Sequence, residues 1–186
     1  ACWRFQGRDI TTGAAGRSAG ARSGAPNQKW VGDITCLETT EGWSYRVVLI
    51  DLYSRRVVGW SMRERITADL ACEALRMAWF RNRRPRDVIV HTDRGSQYCS
   101  HAFQDLLERS SLRSSMSRTG DCSDKPVAES FFHTFKVEPP ADQPRQSRAA
   151  RKEMAFQYIA VYYNQQRMHS SIGYRTPEQC ERQAVA

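Results

Sequence analysis

Three short β-forming runs, joined by connections too short for a crossover, constrain this chain's fold more than any other feature. Trp30 to Leu37, Trp43 to Asp51 and Arg56 to Met62 are rich in Val, Ile, Trp and Tyr, the residues that suit a pleated, half-buried surface. Only Thr39-Thr40-Glu41-Gly42 and Leu52 to Arg55 turn the chain between them. A parallel connection needs a dozen or more residues, so the three runs must form an antiparallel meander. Thr67 can then N-cap a helix running to about Phe80, with Leu70, Ala74 and Met77 on one face. Val88-Ile89-Val90 is a short, wholly apolar strand ending at Asp93, and that character suits a central parallel strand.

Further on, Ser100 to Arg109 reads as a second helix and Leu112 to Ser117 as a weak fifth strand. Gly120 to Lys125 is a loop. A helix starts near Pro126, where proline is tolerated, and runs to about Val137. Val127, Phe131 and Phe135 form its apolar stripe, and Glu129, His133 and Lys136 lie nearly opposite. Pro139 to Lys152 is poor in apolar residues and is expected as a loop that becomes helical near its end. Met154, Tyr158, Val161 and Tyr162 mark a final amphipathic helix. The sum is an α/β fold: a five-stranded mixed sheet, three strands antiparallel and the others parallel, with helices on both faces.

Two domains of unequal character are expected. Residues 1–26, rich in Gly, Ala, Ser and Arg, carry no apolar period and read as disordered. Residues 27–182 make one core with a C-terminal helix. The six cysteines contain no C-x-x-C pair, which argues against a zinc site and for free thiols in a reducing cytoplasm. No apolar run is long enough to span a membrane, and the N-terminus has no secretory apolar core. A net charge of +8 and a pI near 9.5 suit a polyanionic partner.

Three carboxylates stand out against this basic background. Asp33 lies on the first strand, Asp93 at the carboxyl end of the fourth, and Glu129 near the start of its helix. Open α/β sheets place ligands at the carboxyl ends of strands. If the first and fourth strands are neighbours, the two aspartates meet, and close carboxylates repel unless a cation sits among them. Mg²⁺ favours such an oxygen-rich site, and two metals can serve an in-line displacement at phosphorus.

The acids and their surroundings resemble the catalytic core shared by insertion-sequence transposases of the second-reading-frame type and retroviral integrases. The matching pieces are the segment Asn27 to Thr35, Asp51-Leu52-Tyr53-Ser54-Arg55 with Val58-Gly59-Trp60, His91 to Tyr98, and Gly120-Asp121-Cys122. Glu129-Ser130-Phe131-Phe132 with Lys136 and Glu138 follows, then Tyr163 to Ser170 and Gly173 to Pro177. The resemblance implies a ribonuclease H-like fold and assigns Asp33, Asp93 and Glu129 as catalytic metal ligands for Mg²⁺ or Mn²⁺, two ions in number. It implies DNA cleavage followed by strand transfer, double-stranded DNA as partner (transposon ends and target), a homo-oligomer on DNA, and a bacterial cytoplasmic, nucleoid-associated protein.

DNA contacts are expected from Lys136, Arg145, Arg148, Arg151, Lys152 and Arg167. Of these, Lys136 shares the stripe of Glu129, and 145–152 is a charge run that alternatively forms a solvated segment. His91 and Gln97 either brace the Asp93 loop or touch DNA. Asn164, Arg167 and His169 either bind DNA or pin the last helix to the core. The chain departs from the family at residues 1–26, which show no helix-turn-helix pattern, at Ser123-Asp124-Lys125-Pro126, and across 139–152. These departures suggest a truncated or decayed copy. The competing readings are a ribonuclease H-like nuclease without strand transfer and a non-catalytic basic DNA-binding remnant.

Overall fold

The computed structural model describes residues 23–116, 126–137 and 146–185, the side chains of Pro126, Glu129, Lys136, Val137 and Val185 excepted. The expected meander is present and slightly longer than its apolar runs: β1 Lys29–Thr39, β2 Gly42–Asp51 and β3 Val57–Arg63. Backbone pairing carries β1 past Leu37 to the two-residue turn, because Thr39 still faces Gly42 across the ladder. After α1 (Ala68–Arg81) come β4 (Ile89–Thr92), α2 (His101–Arg109) and β5 (Arg113–Met116). The sheet order is β3-β2-β1-β4-β5. β1 is antiparallel to β2 and parallel to β4, and β5 is parallel to β4.

Alternation along the strands divides the core in two. Trp30, Val47, Leu49 and Val90 face α1, with Leu70, Ala74, Leu75 and Ala78 packed on them. Contact is closest at Gly59, where an added Cβ would overlap the Ala74 carbonyl oxygen and the Ala78 Cβ. Val31, Val48, Ile50 and Trp60 face the other way, against α3 (Pro126–Val137). Helices therefore cover both faces.

The expected turn to helix near the end of 139–152 is present. Helix α4 already begins at Arg148, because the Ser147 hydroxyl caps it by accepting from the Ala150 N–H at 3.2 Å. Among its residues only Ala155 is buried, so no apolar stripe announced it. The helix continues as a π-helical stretch, Gln157–Tyr163, which buries Ile159 and Tyr163. A 3₁₀ turn, Ser170–Ile172, and a last helix, α5 (Pro177–Val185), complete the order. Thr176 and Gln179 cap α5 reciprocally, backbone N–H to side chain each way, at 3.0 and 3.2 Å. That capping box is the sequence signal for α5.

Two buried polar groups tie the C-terminal segment to the sheet. The Asn164 amide accepts from the Val57 N–H at 2.9 Å and donates to the Val57 carbonyl at 3.1 Å, so a side chain completes the ladder of edge strand β3. At the far end of β2, Asp51 accepts from the N–H groups of Asn27, Tyr53 and Ser54 at 2.7 to 3.0 Å. The Ser54 hydroxyl reaches Glu181 of α5 at 2.9 Å, and Arg56 pairs with the same carboxylate at 2.7 Å. Burial raises the Asp51 carboxyl above its usual range, against these donors.

The expected disordered segment 1–26 (all but its last four residues), the loop 120–125 and Arg145 lie outside the described residues. The described cysteines Cys36, Cys72, Cys99 and Cys180 are free thiols. Among the described residues, no helix is long and apolar enough to cross a membrane.

Candidate active site

The parallel pairing of β1 with β4 aligns Lys29 with Ile89, Trp30 with Val90 and Val31 with His91. Asp33 lies two residues past Val31 on β1, and Asp93 two past His91, one residue beyond the end of β4. Asp33 shares the face of Val31, the face that α3 covers. The condition on which the aspartates meet, adjacency of the first and fourth strands, is met.

Two glycines let this arrangement close. At Gly32 an added Cβ would lie 2.9 Å from Leu49 Cδ2 and 3.1 Å from Thr92 Cγ2, with the Tyr98 hydroxyl 3.6 Å away. At Gly95 it would lie 2.9 Å from Asp93 Oδ1. With no side chain there, Asp93 folds back to accept the Gly95 N–H at 2.8 Å. The turn then runs into Ser100, which N-caps α2 by accepting from Phe103 at 3.3 Å.

Tyr98 reports the closeness of the acids electrostatically. Its ring is fully buried on the opposite face, edge-on to Phe103 at 5.3 Å, and its hydroxyl has no hydrogen-bond partner. Burial first, then the charges of Asp33 and of Asp93, hold the phenol well above its ordinary value. One phenol thus feels both carboxylates. His91 takes the bracing role, its Nδ1 lying 3.0 Å from Ser115 Oγ on β5.

Glu129 lies in the first turn of α3, its side chain outside the description. The helix seats its expected stripe of Val127, Phe131 and Phe135, broadened by Ala128 and Phe132, on the face that carries the aspartates. His133 is exposed. Among the described residues no group of three or more His, Cys, Asp or Glu could hold a metal. The donor set present is therefore a pair of carboxylates, hard oxygen ligands of the kind Mg²⁺ takes.

Of the expected DNA contacts, Arg148, Arg151 and Lys152 lie on α4 and Arg167 follows the π-helical stretch. The Lys136 side chain and Arg145 lie outside the description. Arg148 is tied down: its guanidinium meets Glu64 at 3.0 Å and the Glu41 carbonyl at 2.7 Å. Lys152 is exposed on α4. Arg167 lies 3.1 Å from the His169 ring and over the Tyr163 ring. These contacts support the pinning alternative for Arg167, as Asn164 does for itself.

Strand alternation could have flagged one residue, Arg46. It falls on an inward position of β2, opposite Thr35 and Met62, and is wholly buried. None of its three guanidinium nitrogens has a hydrogen-bond partner, and the group stacks 3.7 Å from the Phe135 ring centroid of α3. Burial, then the positive charge of Arg151, lowers its pKa from the ordinary arginine value to about 9.

Comparison with known proteins agrees with this geometry. Residues 24–122 and 110–177 match two family models, each described as an integrase core domain. The chain is 54% identical over 161 residues to the transposase InsF for insertion sequence IS3A of Escherichia coli, covering 87% of this chain and 56% of that relative. It is 41% identical over 158 residues to the transposase for insertion sequence element IS904 of Lactococcus lactis, covering 85% of this chain and 62% of the relative. This chain thus spans little more than half the length of these curated relatives. Among solved structures it resembles the HTLV-2 integrase catalytic core domain in complex with magnesium, at TM-score 0.63 and 18% identity over 86% of this chain and 99% of that one. It also resembles the simian T-cell lymphotropic virus intasome, at TM-score 0.69 and 20% identity over 87% of this chain and 56% of that one. At these identities the solved structures establish the fold, which is ribonuclease H-like. The chain belongs to the integrase core domain family.

Proposed function

We propose that residues 27–182 form a catalytic core that cuts DNA at an element end and transfers the strand, with Mg²⁺ or Mn²⁺ as cofactor and Asp33, Asp93 and Glu129 as its ligands. The observation that carries this reading is the parallel pairing of β1, which bears Asp33, with β4, which leads into Asp93, beside the face covered by the helix that bears Glu129. The two carboxylates fit a divalent cation, and two ions are proposed. The chemistry such ions supply is activation of an attacking oxygen and stabilisation of a leaving one at phosphorus.

The chain's own residues do the holding. The Gly95 N–H, bonded to Asp93 Oδ1, fixes the orientation of that carboxylate. The Gly32 and Tyr98 packing sets the spacing of the two strands behind the acids. The apolar face of α3 fixes the helix that presents Glu129. Double-stranded DNA as partner and assembly as a homo-oligomer on it rest on the family, whose members named above are transposases. Lys136, Arg145, Arg148, Arg151, Lys152 and Arg167 are proposed as backbone contacts. Of these, Lys152 is the one fully described side chain that is both exposed and outside any ion pair.

A second reading, a basic DNA-binding chain without chemistry, is favoured by one observation. The helix that carries Glu129 rests on the unpaired, buried guanidinium of Arg46. Incubating a supercoiled plasmid with the chain and Mn²⁺ separates the two. Nicking by the native chain that Asp93→Asn abolishes supports the catalytic core. Equal, background cutting by both supports the non-catalytic chain. Joined products on an oligonucleotide carrying an element end then distinguish strand transfer from simple hydrolysis.

A further inference from the structure

We propose that a cleft at the β3 edge of the sheet, between β3, the start of α1 and α4, binds a backbone phosphate of duplex DNA roughly two base steps from the acid pair. This rests on the reading above that the partner is DNA. The cleft has a volume of about 420 Å³. Arg63 and Arg65 border it on the segment leaving β3, Arg148 and Lys152 on α4, and Ser44 on β2.

Two of the four cations are already paired. Arg63 bonds Glu73, and Arg148 bonds Glu64, the carboxylate within the cleft, at 3.0 Å. Arg65 and Lys152 are exposed and take part in no ion pair among the described residues. Four cations line the cleft against one carboxylate, Glu64, with Glu73 near Lys152, and that excess of positive charge favours an anion between the walls.

Other features of the walls act in the same direction. Thr67 is the N-cap of α1, but its hydroxyl caps no N–H group and has no partner at all. The positive end of a 14-residue helix therefore stands at the cleft with a free hydroxyl beside it. Asp69 in its first turn offsets part of that potential. Arg46 adds a fixed positive charge beside the floor: it lies across from Met62, a lining residue, and two positions along β2 from Ser44.

Distance selects a duplex phosphate over a free one. Asp33 is level with Val48, and Val48 with Trp60; Met62 lies two residues further along β3. Two strand spacings and two residue rises put the cleft roughly 12 Å from Asp33. Neighbouring phosphates on one strand lie about 7 Å apart through space, because the strand winds as it rises about 3.4 Å, so this span is roughly two steps. A duplex with one phosphate at the acids can therefore place another in the cleft.

The test is fluorescence anisotropy of a labelled duplex over a range of salt, with the native chain, an R65Q/K152Q variant and an R65K/K152R variant. Each phosphate contact contributes about 0.9 to the slope of log affinity against log salt. We expect R65Q/K152Q to lower that slope by about 1 and to weaken binding on every sequence alike, while R65K/K152R keeps both. An R65Q/K152Q slope equal to the native one overturns the proposal. Thermal protection by millimolar inorganic phosphate, lost in R65Q/K152Q while the duplex slope is unchanged, assigns a small-anion site and overturns it too. Native binding that is indifferent to salt overturns this proposal and the DNA reading together. A native chain that fails to nick but shows the slope difference overturns only the catalytic reading.

Discussion

Replacing Arg46 with methionine should stabilise the protein. A guanidinium without a single hydrogen bond, sealed between β2 and α3, has given up its hydration for one aromatic face. Its pKa, lowered to about 9 chiefly by burial, reflects that loss. At about 1.4 kcal/mol for each tenfold change in the proton equilibrium, the buried charge costs on the order of 5 kcal/mol. Stacking on Phe135 is already included in the native state and is worth up to about 2 kcal/mol when desolvated. Methionine keeps most of the length and apolar contact, so Arg46→Met should gain about 3 kcal/mol, within the range seen when buried charges give way to apolar residues.

The pH dependence has a definite sign. The folded pKa lies below the unfolded one, so the unfolded chain binds more protons between about pH 9 and 12.5. The native chain therefore gains stability as pH rises through that window, and the full penalty applies below pH 9. The advantage of Arg46→Met should be constant from neutral pH to about 9 and shrink above it. Urea unfolding followed by tryptophan fluorescence reads both. An Arg46→Met chain as stable as the native one at pH 7, or less stable, refutes the reasoning.

Further outcomes follow from single contacts. Gly59→Ala forces a methyl into the Ala74 carbonyl and Ala78 and should cost at least about 2 kcal/mol, read as a lower urea midpoint; an unchanged midpoint contradicts the close packing of α1 on β3. Asn164→Ala strips the Val57 N–H and carbonyl of their buried partner and should cost about 2–4 kcal/mol, with hydrogen exchange at the Val57 amide accelerated. Tyr98→Phe removes a hydroxyl that bonds to nothing and should change stability by less than about 1 kcal/mol. A larger loss would mean that the hydroxyl has a partner.

The strand order was readable because the connections were short and Val88-Ile89-Val90 was apolar on both sides. The same pattern put Asp33 and Asp93 on one edge before any geometry was known. What escaped has a common cause: it depends on partners distant in sequence. Asn164 acts as an extra β-strand for Val57, 107 residues away, and no local pattern announces that. Asp51 marked a family motif without showing that it ties Asn27 and the 53–54 turn together. Helix α4 begins at a serine cap inside a charge run whose only buried residue is Ala155, so neither periodicity nor propensity could separate it from loop. Arg148, expected at DNA, is engaged with Glu64 and the β1–β2 turn, because a charge run does not say which of its members find protein partners.

The central claim is that Asp33 and Asp93 are two halves of one cation site. Titration of Mn²⁺ into the native chain and into Asp33→Asn, Asp93→Asn and the double variant, followed by electron paramagnetic resonance of free Mn²⁺, tests it directly. Shared ligands predict that each single change weakens binding nearly as much as both together. Losses that add independently, or Mn²⁺ binding that survives both changes, would contradict the account.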